Sequence, residues 1–321
     1  MKFPKILAIG GAHIVRHGVV AGQFIPARFN PGTTYERVGG DAFNCGRIAA
    51  RRDGSVSLMS VRGGDTAGET VSRAIAAEGI SDLSVVFLDR RTPGYTAMLN
   101  RDGDLIAGLE DTALYDLAFT KQMRRSKMRE AIAQSDAVLC DASLPAPALE
   151  KLVVLTTGKP LFAIATSPAK ASRFAGILAE VACLFVHRSS AVALSGGTAA
   201  AAEDVLRENG LKCCVILEDD GALTAFDEKA LFSINVEKPD DLAASLDAIA
   251  GASIVALMRG LPLRQAVREG AATAMLTARN GSAPSFRNRI LPECSPLYRQ
   301  RSSAPDEPIR LHYLPARKPA S

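Results

Sequence analysis

Four runs of almost unbroken apolar residues constrain the fold most: DAVLCDA (136–142), PLFAIAT (160–166), CLFVH (183–187) and CCVILE (213–218). A strand that is apolar on both faces must be covered on both faces, the condition met inside a parallel sheet flanked by helices. Parallel neighbours also need a crossover connection, normally a helix. The intervening segments have that character: PAPALEKLVVLTT and AAAAEDVLRENG separate the runs, and AFTKQMRRSKMREAIAQ precedes the first. The N-terminal part keeps the rhythm, with KILAIGG and SVSLMSV as strands and DAFNCGRIAARRDG and TAGETVSRAIAAEG as helices. The first helix is expected to stop at a glycine C-cap, Gly54, and the second to open on a Thr66/Glu69 capping box and stop before Gly79. Two more helices, Leu242–Arg259 and Pro262–Arg279, close the body. The fold class is therefore α/β: a doubly wound, mostly parallel sheet with helices on both faces and ligands beyond the strand C-termini.

One stretch breaks the alternation. TPGYTAMLN and DLIAGLE flank Arg101-Asp102-Gly103, a turn signal between two alternating segments, so a β-hairpin is predicted. With the segment around 14–38 it makes a small β-lid, at 14–38 and 89–110, inserted into one domain spanning 1–280. Residues 281–321 have no sustained period and are rich in Pro, Ser and Arg. From Gly281 on, seven basic residues face three acidic ones, so this tail holds the whole formal charge of +4 and the body is neutral. A solvated tail is the simple reading; Phe286, Ile290, Leu291 and Leu297 give Ser285–Tyr298 the means to dock on the body or on a second subunit.

A neutral body gives no basic groove for nucleic acid. No apolar run reaches the ~20 residues of a membrane span, and MKFPKILAIGG lacks the apolar core of a secretory signal. Six cysteines without CxxC spacing read as buried thiols in a reducing compartment, so a cytoplasmic location is expected. There is no GxxxxGK[ST] loop, IGGAHIVRHG fails GxGxxG, and four histidines show no HExxH spacing, so no metal ligand set is predicted.

VGGDAFNCGRIAARRDGSVSLMSVRGGDTAGE resembles the N-terminal signature of the ribokinase-like (PfkB) carbohydrate kinase family: a double glycine, an Asn four residues on, a helix, then a strand ending in a Gly/Asp-rich turn. TPGYTAMLNRDGDLIAGLED, SDAVLCDASLP and TSPAKASRF look most like its pseudouridine kinase branch. The resemblance covers roughly residues 5–280. It implies ATP-dependent phosphorylation of a primary hydroxyl of a small-molecule sugar or nucleoside, with ATP and Mg²⁺, and a homodimer through the β-lid. Asp247 matches the family's proton acceptor, though a carboxylate in a helix's first turn serves equally as a dipole partner. Gly39, Gly40 and Asn44 match the substrate-approach glycines and the Asn that binds sugar hydroxyls, or else form a helix-initiating turn. Asp111 matches an acidic residue after the lid or is a surface charge; Lys170 matches a lysine of the pseudouridine branch or is a solvated helix residue.

PDDLAASLDAIAGASIVALMRG (239–260) falls where the family carries its D-T-T-G-A-G-D anion loop. Asp241 matches the first Asp, but Ala244, Ser245 and Leu246 replace Gly-Ala-Gly; any positive φ required at Leu246 would cost on the order of 1 kcal/mol or more. The strand Asp that holds the sugar falls at Val15, with His13 and Arg16 as polar stand-ins, and a structural Asp becomes Ile164. The Asn-x-x-Glu that organises Mg²⁺ falls on His187 and Ser190. The nucleotide region falls on Ile216, Leu217 and Glu218, keeping Gly221, and Glu218 is expected to repel a triphosphate. Two functions follow: a sugar or nucleoside kinase with impaired chemistry, or a non-catalytic protein that keeps a nucleoside-like or sugar ligand as a sensor or partner subunit.

Overall fold

The computed structural model describes residues 3–197, 202–235 and 242–279. Asp241 and the tail, including Ser285–Tyr298, lie outside the described residues. In chain order, β1 (Lys5–Ile9) is followed by β2 (His13–Val20), β3 (Gly32–Gly39), α1 (Asp41–Arg51), β4 (Ser55–Met59), β5 (Val61–Gly63) and α2 (Thr66–Ala77). Then come β6 (Ser81–Asp82), β7 (Val85–Phe87), β8 (Gly94–Leu99), β9 (Leu105–Asp111), α3 (Ala113–Gln122) and α4 (Ser126–Gln134). The apolar runs give β10 (Ala137–Asp141), β11 (Leu161–Ala165), β12 (Cys183–His187) and β13 (Cys214–Leu217). Between them lie α5 (Ala146–Leu155), α6 (Pro168–Ala171) continued as a 3-10 segment over Ser172–Glu180, α7 (Arg188–Leu194) and α8 (Ala202–Glu208). β14 (Leu223–Phe226), β15 (Leu231–Ile234), α9 (Leu242–Met258) and α10 (Leu263–Arg279) complete the body.

The central sheet has nine strands in the order β15-β14-β13-β12-β11-β10-β1-β4-β6. It is parallel except at one edge, where β14 and β15 pair antiparallel. Strand side chains alternate between two cores. Ile6 and Ala8 join α1, α2, α9 and α10 on one face, whereas Leu7 and Ile9 join α3–α8 on the other. The chain leaves β1 toward β4 on one side and returns through β10 on the other, so the strand order reverses between β1 and β10. In open α/β sheets the ligand crevice lies beyond the strand C-termini at such a reversal. A smaller sheet, β3-β2-β8-β9, grows out of β1 and contains the 101–103 hairpin; Asn100 Oδ1 closes its turn by accepting from the amides of Asp102 (2.9 Å) and Asp104 (2.8 Å).

Local signals differ from expectation at three places. The left-handed residue ending α1 is Asp53 (φ 64°), not Gly54, whose amide reaches back to the Ala49 carbonyl (2.8 Å) in a Schellman arrangement. The N-cap of α2 is Asp65, one residue before Thr66, because its carboxylate accepts from the Gly68 amide (2.9 Å) and so displaces the weaker hydroxyl cap. The 118–134 segment is two helices, broken between Gln122 and Ser126.

Helix α9 is apolar all round and buried between α1 and α10. Glycines set the spacing. A Cβ on Gly251 would lie 2.6 Å from the Cys45 carbonyl oxygen, and one on Gly270 would lie 2.7 Å from that of Ile249. Gly251→Ala is therefore expected to push α1 from α9 and lower stability by about 1–3 kcal/mol. Urea unfolding checks it, and an unchanged midpoint would show that the helices separate without strain.

Candidate active site

The crevice at the strand reversal is organised by Asp141, the last residue of β10, which is 1% exposed. One oxygen accepts the amides of Gly11 (2.8 Å) and Ala42 (2.9 Å), and the other accepts that of Ser143 (2.8 Å). Gly10 leaves it room, since a Cβ there would fall 2.3 Å from the carboxyl carbon. Asp41, the first residue of α1, lies beside it, its carboxyl bonded by the Thr166 hydroxyl at 2.7 Å. Burial first, then the neighbouring Asp141 charge, push the Asp41 carboxyl up to about 7. Asp141 is also raised by burial, against the opposing pull of its three amides.

One turn along α1, Asn44 donates from Nδ2 to Asp247 Oδ2 on α9 at 2.8 Å. Both residues are buried, at 6% and 4% exposure. The Cys45 thiol, 3.8 Å from Asp247 Oδ1, is pushed far up by burial and by the charges of Asp247, Asp41 and Asp141. Three carboxylates therefore surround the first turns of α1. His13 faces them from the start of β2, with Nδ1 3.1 Å from the Tyr115 hydroxyl. Burial and then Lys170 lower its pKa to about 4, so the imidazole is neutral at pH 7. From the small sheet, Glu110 pairs with Lys170, which also reaches the Thr112 hydroxyl (3.2 Å).

The structure thus brings His13, Asn44, Lys170 and Asp247 to one crevice, with Gly39 and Gly40 at its wall. A Cβ on Gly39 would meet the Val15 side chain at 2.7 Å, and one on Gly40 (φ 110°) would meet the Gly11 carbonyl at 2.3 Å, so both glycines are required by chain packing. Asp111 is not brought there: along β9 it alternates with Glu110, sharing a face with Leu109, and Glu110 makes the Lys170 contact. Val15 and Ile164 are simply buried. Gly221 (φ 95°) lies in the β13–β14 turn, three strands from β10 along the same edge. Asp41, Asp141, Glu110, Tyr115 and Thr166 were missed. The polar end of the apolar run DAVLCDA and the acid directly after Gly39-Gly40 were the available signals.

The anion-loop positions are corrected in kind. Ala244, Ser245 and Leu246 are buried inside α9, none has positive φ, and Leu246 is a fully buried core residue. Alanine, serine and leucine suit a helix interior better than glycine, and within α9, described from Leu242, Asp247 is the sixth residue. Only the first four amides of a helix stand outside its ladder, and Leu246 is the fifth residue. The strain expected at Leu246 is absent. Glu218 is paired rather than isolated: Arg188 binds it through Nε at 2.7 Å and binds Glu203 at 2.6 Å, so one arginine serves two glutamates and a net negative charge stays at the cluster. His187 is lowered to about 4 by burial and brings no cation. An imidazole, a serine and two carboxylates committed to arginine do not make the oxygen-rich shell that Mg²⁺ prefers, and among the described residues no group of three or more His, Cys, Asp or Glu side chains could hold a metal ion. A surface hollow lined by Arg207, Lys212 and Asp227–Leu231 lies at the opposite, N-terminal end of β13 and has no part in this chemistry.

Residues 5–287 match the family described as pfkB family carbohydrate kinase. A carbohydrate kinase from Agrobacterium tumefaciens superposes with a TM-score of 0.79 at 37% identity, covering 89% of this chain and 94% of that one. The Arabidopsis thaliana ribokinase complexed with ribose and ATP superposes with a TM-score of 0.75 at 16% identity, over 89% and 97% of the two chains, a likeness of fold. The uncharacterized sugar kinase YeiI of Escherichia coli (strain K12) is 27% identical over 176 residues, 54% of this chain and 48% of the relative, so the match spans about half the length of that protein.

The raised Asp41 carboxyl has a sign that can be tested. Between the ordinary value of 3.8 and about 7 the folded protein keeps a proton that the unfolded chain has lost. The contribution of Asp41 to stability therefore falls as pH rises through that window and is flat above it. Asp41→Asn, which stays neutral, should melt about 2 °C or more higher than the wild type at pH 8, relative to their difference at pH 4. Calorimetric melting at the two pH values measures this, and a difference that does not change with pH would remove the assignment.

Proposed function

The chain belongs to the pfkB carbohydrate kinase family, and from that premise we propose that it transfers the γ-phosphoryl group of ATP to a primary hydroxyl of a sugar or nucleoside, with Asp247 accepting the hydroxyl proton. The bond between the acceptor oxygen and Pγ forms as the bond from Pγ to the β-γ bridging oxygen breaks, ADP leaves, and the proton passes to Asp247. The observation that carries this reading is the Asn44–Asp247 hydrogen bond at 2.8 Å. It fixes a buried carboxylate beside Asn44, and phosphoryl transfer depends mainly on positioning and electrostatics. Within the sugar and nucleoside class, the likeness of 92–111 and 135–145 to pseudouridine kinases favours a nucleoside of that kind. The exposed outer face of the small sheet, with Leu109 70% exposed, is where a homodimer would form.

A second reading, a ligand-binding protein without efficient transfer, is favoured by the donor side. Helix α9 withdraws amides from the anion position, and Arg188 is shared between Glu203 and Glu218. The proposal is therefore a slow kinase, and no step is assigned to Mg²⁺.

Two measurements test it. Asp247→Asn should reduce ADP release by about 100-fold or more, the usual weight of a general base, while acceptor affinity by calorimetry stays within about threefold, well under 1.4 kcal/mol. Transfer at the wild-type rate would rule out Asp247 as the base. ATP should bind with a Kd weaker than about 1 mM and respond little to Mg²⁺; micromolar binding would overturn the account of the donor side.

A further inference from the structure

We propose that Asp41 determines acceptor specificity, admitting uncharged polyhydroxyl acceptors and rejecting those that already carry a phosphate group. The proposal rests on the kinase reading above and narrows its substrate class. Asp41 opens α1 in the crevice between β1 and β10, half-buried, with Thr166 bonding its carboxyl through the hydroxyl and the backbone. A carboxylate has about four lone-pair positions, so it retains capacity to accept sugar or ribose hydroxyls.

The charges facing Asp41 come from every packed element. Asp141 at the end of β10 and Lys170 on α6 act on Asp41 directly, while Asp247 on α9 acts, as Asp41 does, on the Cys45 thiol of the next turn. Lys170 is already paired with Glu110 of β9, and Arg37 of β3 bears on the neighbouring neutral His13. Four carboxyl groups thus meet two cations, one of them committed. Even with Asp41 partly protonated near pH 7, a phosphate monoester of nearly two negative charges would enter a negative, partly desolvated field where like charges are costly. A hydroxyl meets the opposite situation, since carboxylates take it up as a charge-assisted bond.

A second observation points to a ligand of this kind. Asn44 stands three residues after Asp41, on the same face of α1. Its Oδ1 is buried and has no hydrogen-bond donor among the described residues. A buried acceptor without a donor is unfavourable, and an acceptor hydroxyl supplies one.

The test uses the full chain and two matched pairs, fructose with fructose 1-phosphate and uridine with uridine 3′-monophosphate, each ester keeping a primary hydroxyl free. Binding is read by calorimetry and ADP release by a coupled assay, in the wild type and in Asp41→Asn. In the pair that binds, the uncharged member should bind about tenfold or more tighter than its ester. Asp41→Asn should draw that ratio toward unity, and added salt should narrow it in the wild type. An ester that binds as tightly as its partner, or a ratio unchanged in Asp41→Asn, overturns the specificity role while leaving the kinase reading intact wherever ADP is released. If no member binds and no ADP appears, the kinase reading fails and the specificity role fails with it.

Discussion

The buried carboxylate of Asp141 is the contact on which the architecture of the crevice depends. It draws in the amide after β1, the amide at the start of α1 and the amide of its own loop, all between 2.8 and 2.9 Å. These segments are remote in sequence and meet only because the strand order reverses between β1 and β10. A buried carboxylate without partners would cost several kcal/mol, so folding is coupled to closing these three bonds together. Gly10 and Gly40 follow from the same contact, because any side chain at either position collides with the carboxyl group or the Gly11 carbonyl. Once Asp141 is fixed, Asp41 has to sit near it, and the raised Asp41 carboxyl is a consequence of topology.

The second constraint is the packing of α9. Its apolar surface satisfies α1 on one side and α10 on the other, and its glycine contacts bring the Asn44 and Asp247 side chains within bonding distance. The same helix carries Leu246 into the core, fully buried. Removing a buried leucine costs roughly 3 kcal/mol or more, so glycines cannot be restored here without loss of stability. Position 246 serves the core from within a helix.

Much of this was legible in the sequence for identifiable reasons. The apolar runs announce a parallel sheet because burial on both faces leaves no room for polar residues, and β10–β13 coincide with those runs. The hairpin around Asp102 announces itself through turn chemistry. What periodicity could not give was side-chain identity at the meeting points. Asp141 reads locally as the polar end of a strand, and its three partners are 2 to 130 residues away. Glu110 and Asp111 are adjacent in sequence, and only strand alternation decides which one meets Lys170. Glu218 looked like an uncompensated charge because its arginine lies 30 residues earlier, brought beside it by the pairing of β12 with β13. Residues 244–246 match a loop by position in the sequence, and they lie inside a helix.

In the kinase reading, the acceptor side around α1 and the donor side around Arg188 are built on different principles. On the acceptor side, polar groups are fixed by backbone bonds and by one another, yet Asn44 Oδ1 still has unmet capacity. Preorganised groups of that kind lose little on binding, because their orientation has already been set during folding. On the donor side, Arg188 is satisfied by Glu203 and Glu218, and its guanidinium is held strongly charged by them. A phosphate would have to displace carboxylates that already hold the geometry an incoming anion would use. Acceptor recognition and donor recognition therefore draw on separate residues, with Asp247 lying nearer the acceptor set through Asn44. In that reading one half can change without dismantling the other, because the Asn44–Asp247 pair and the Arg188 cluster share no residue.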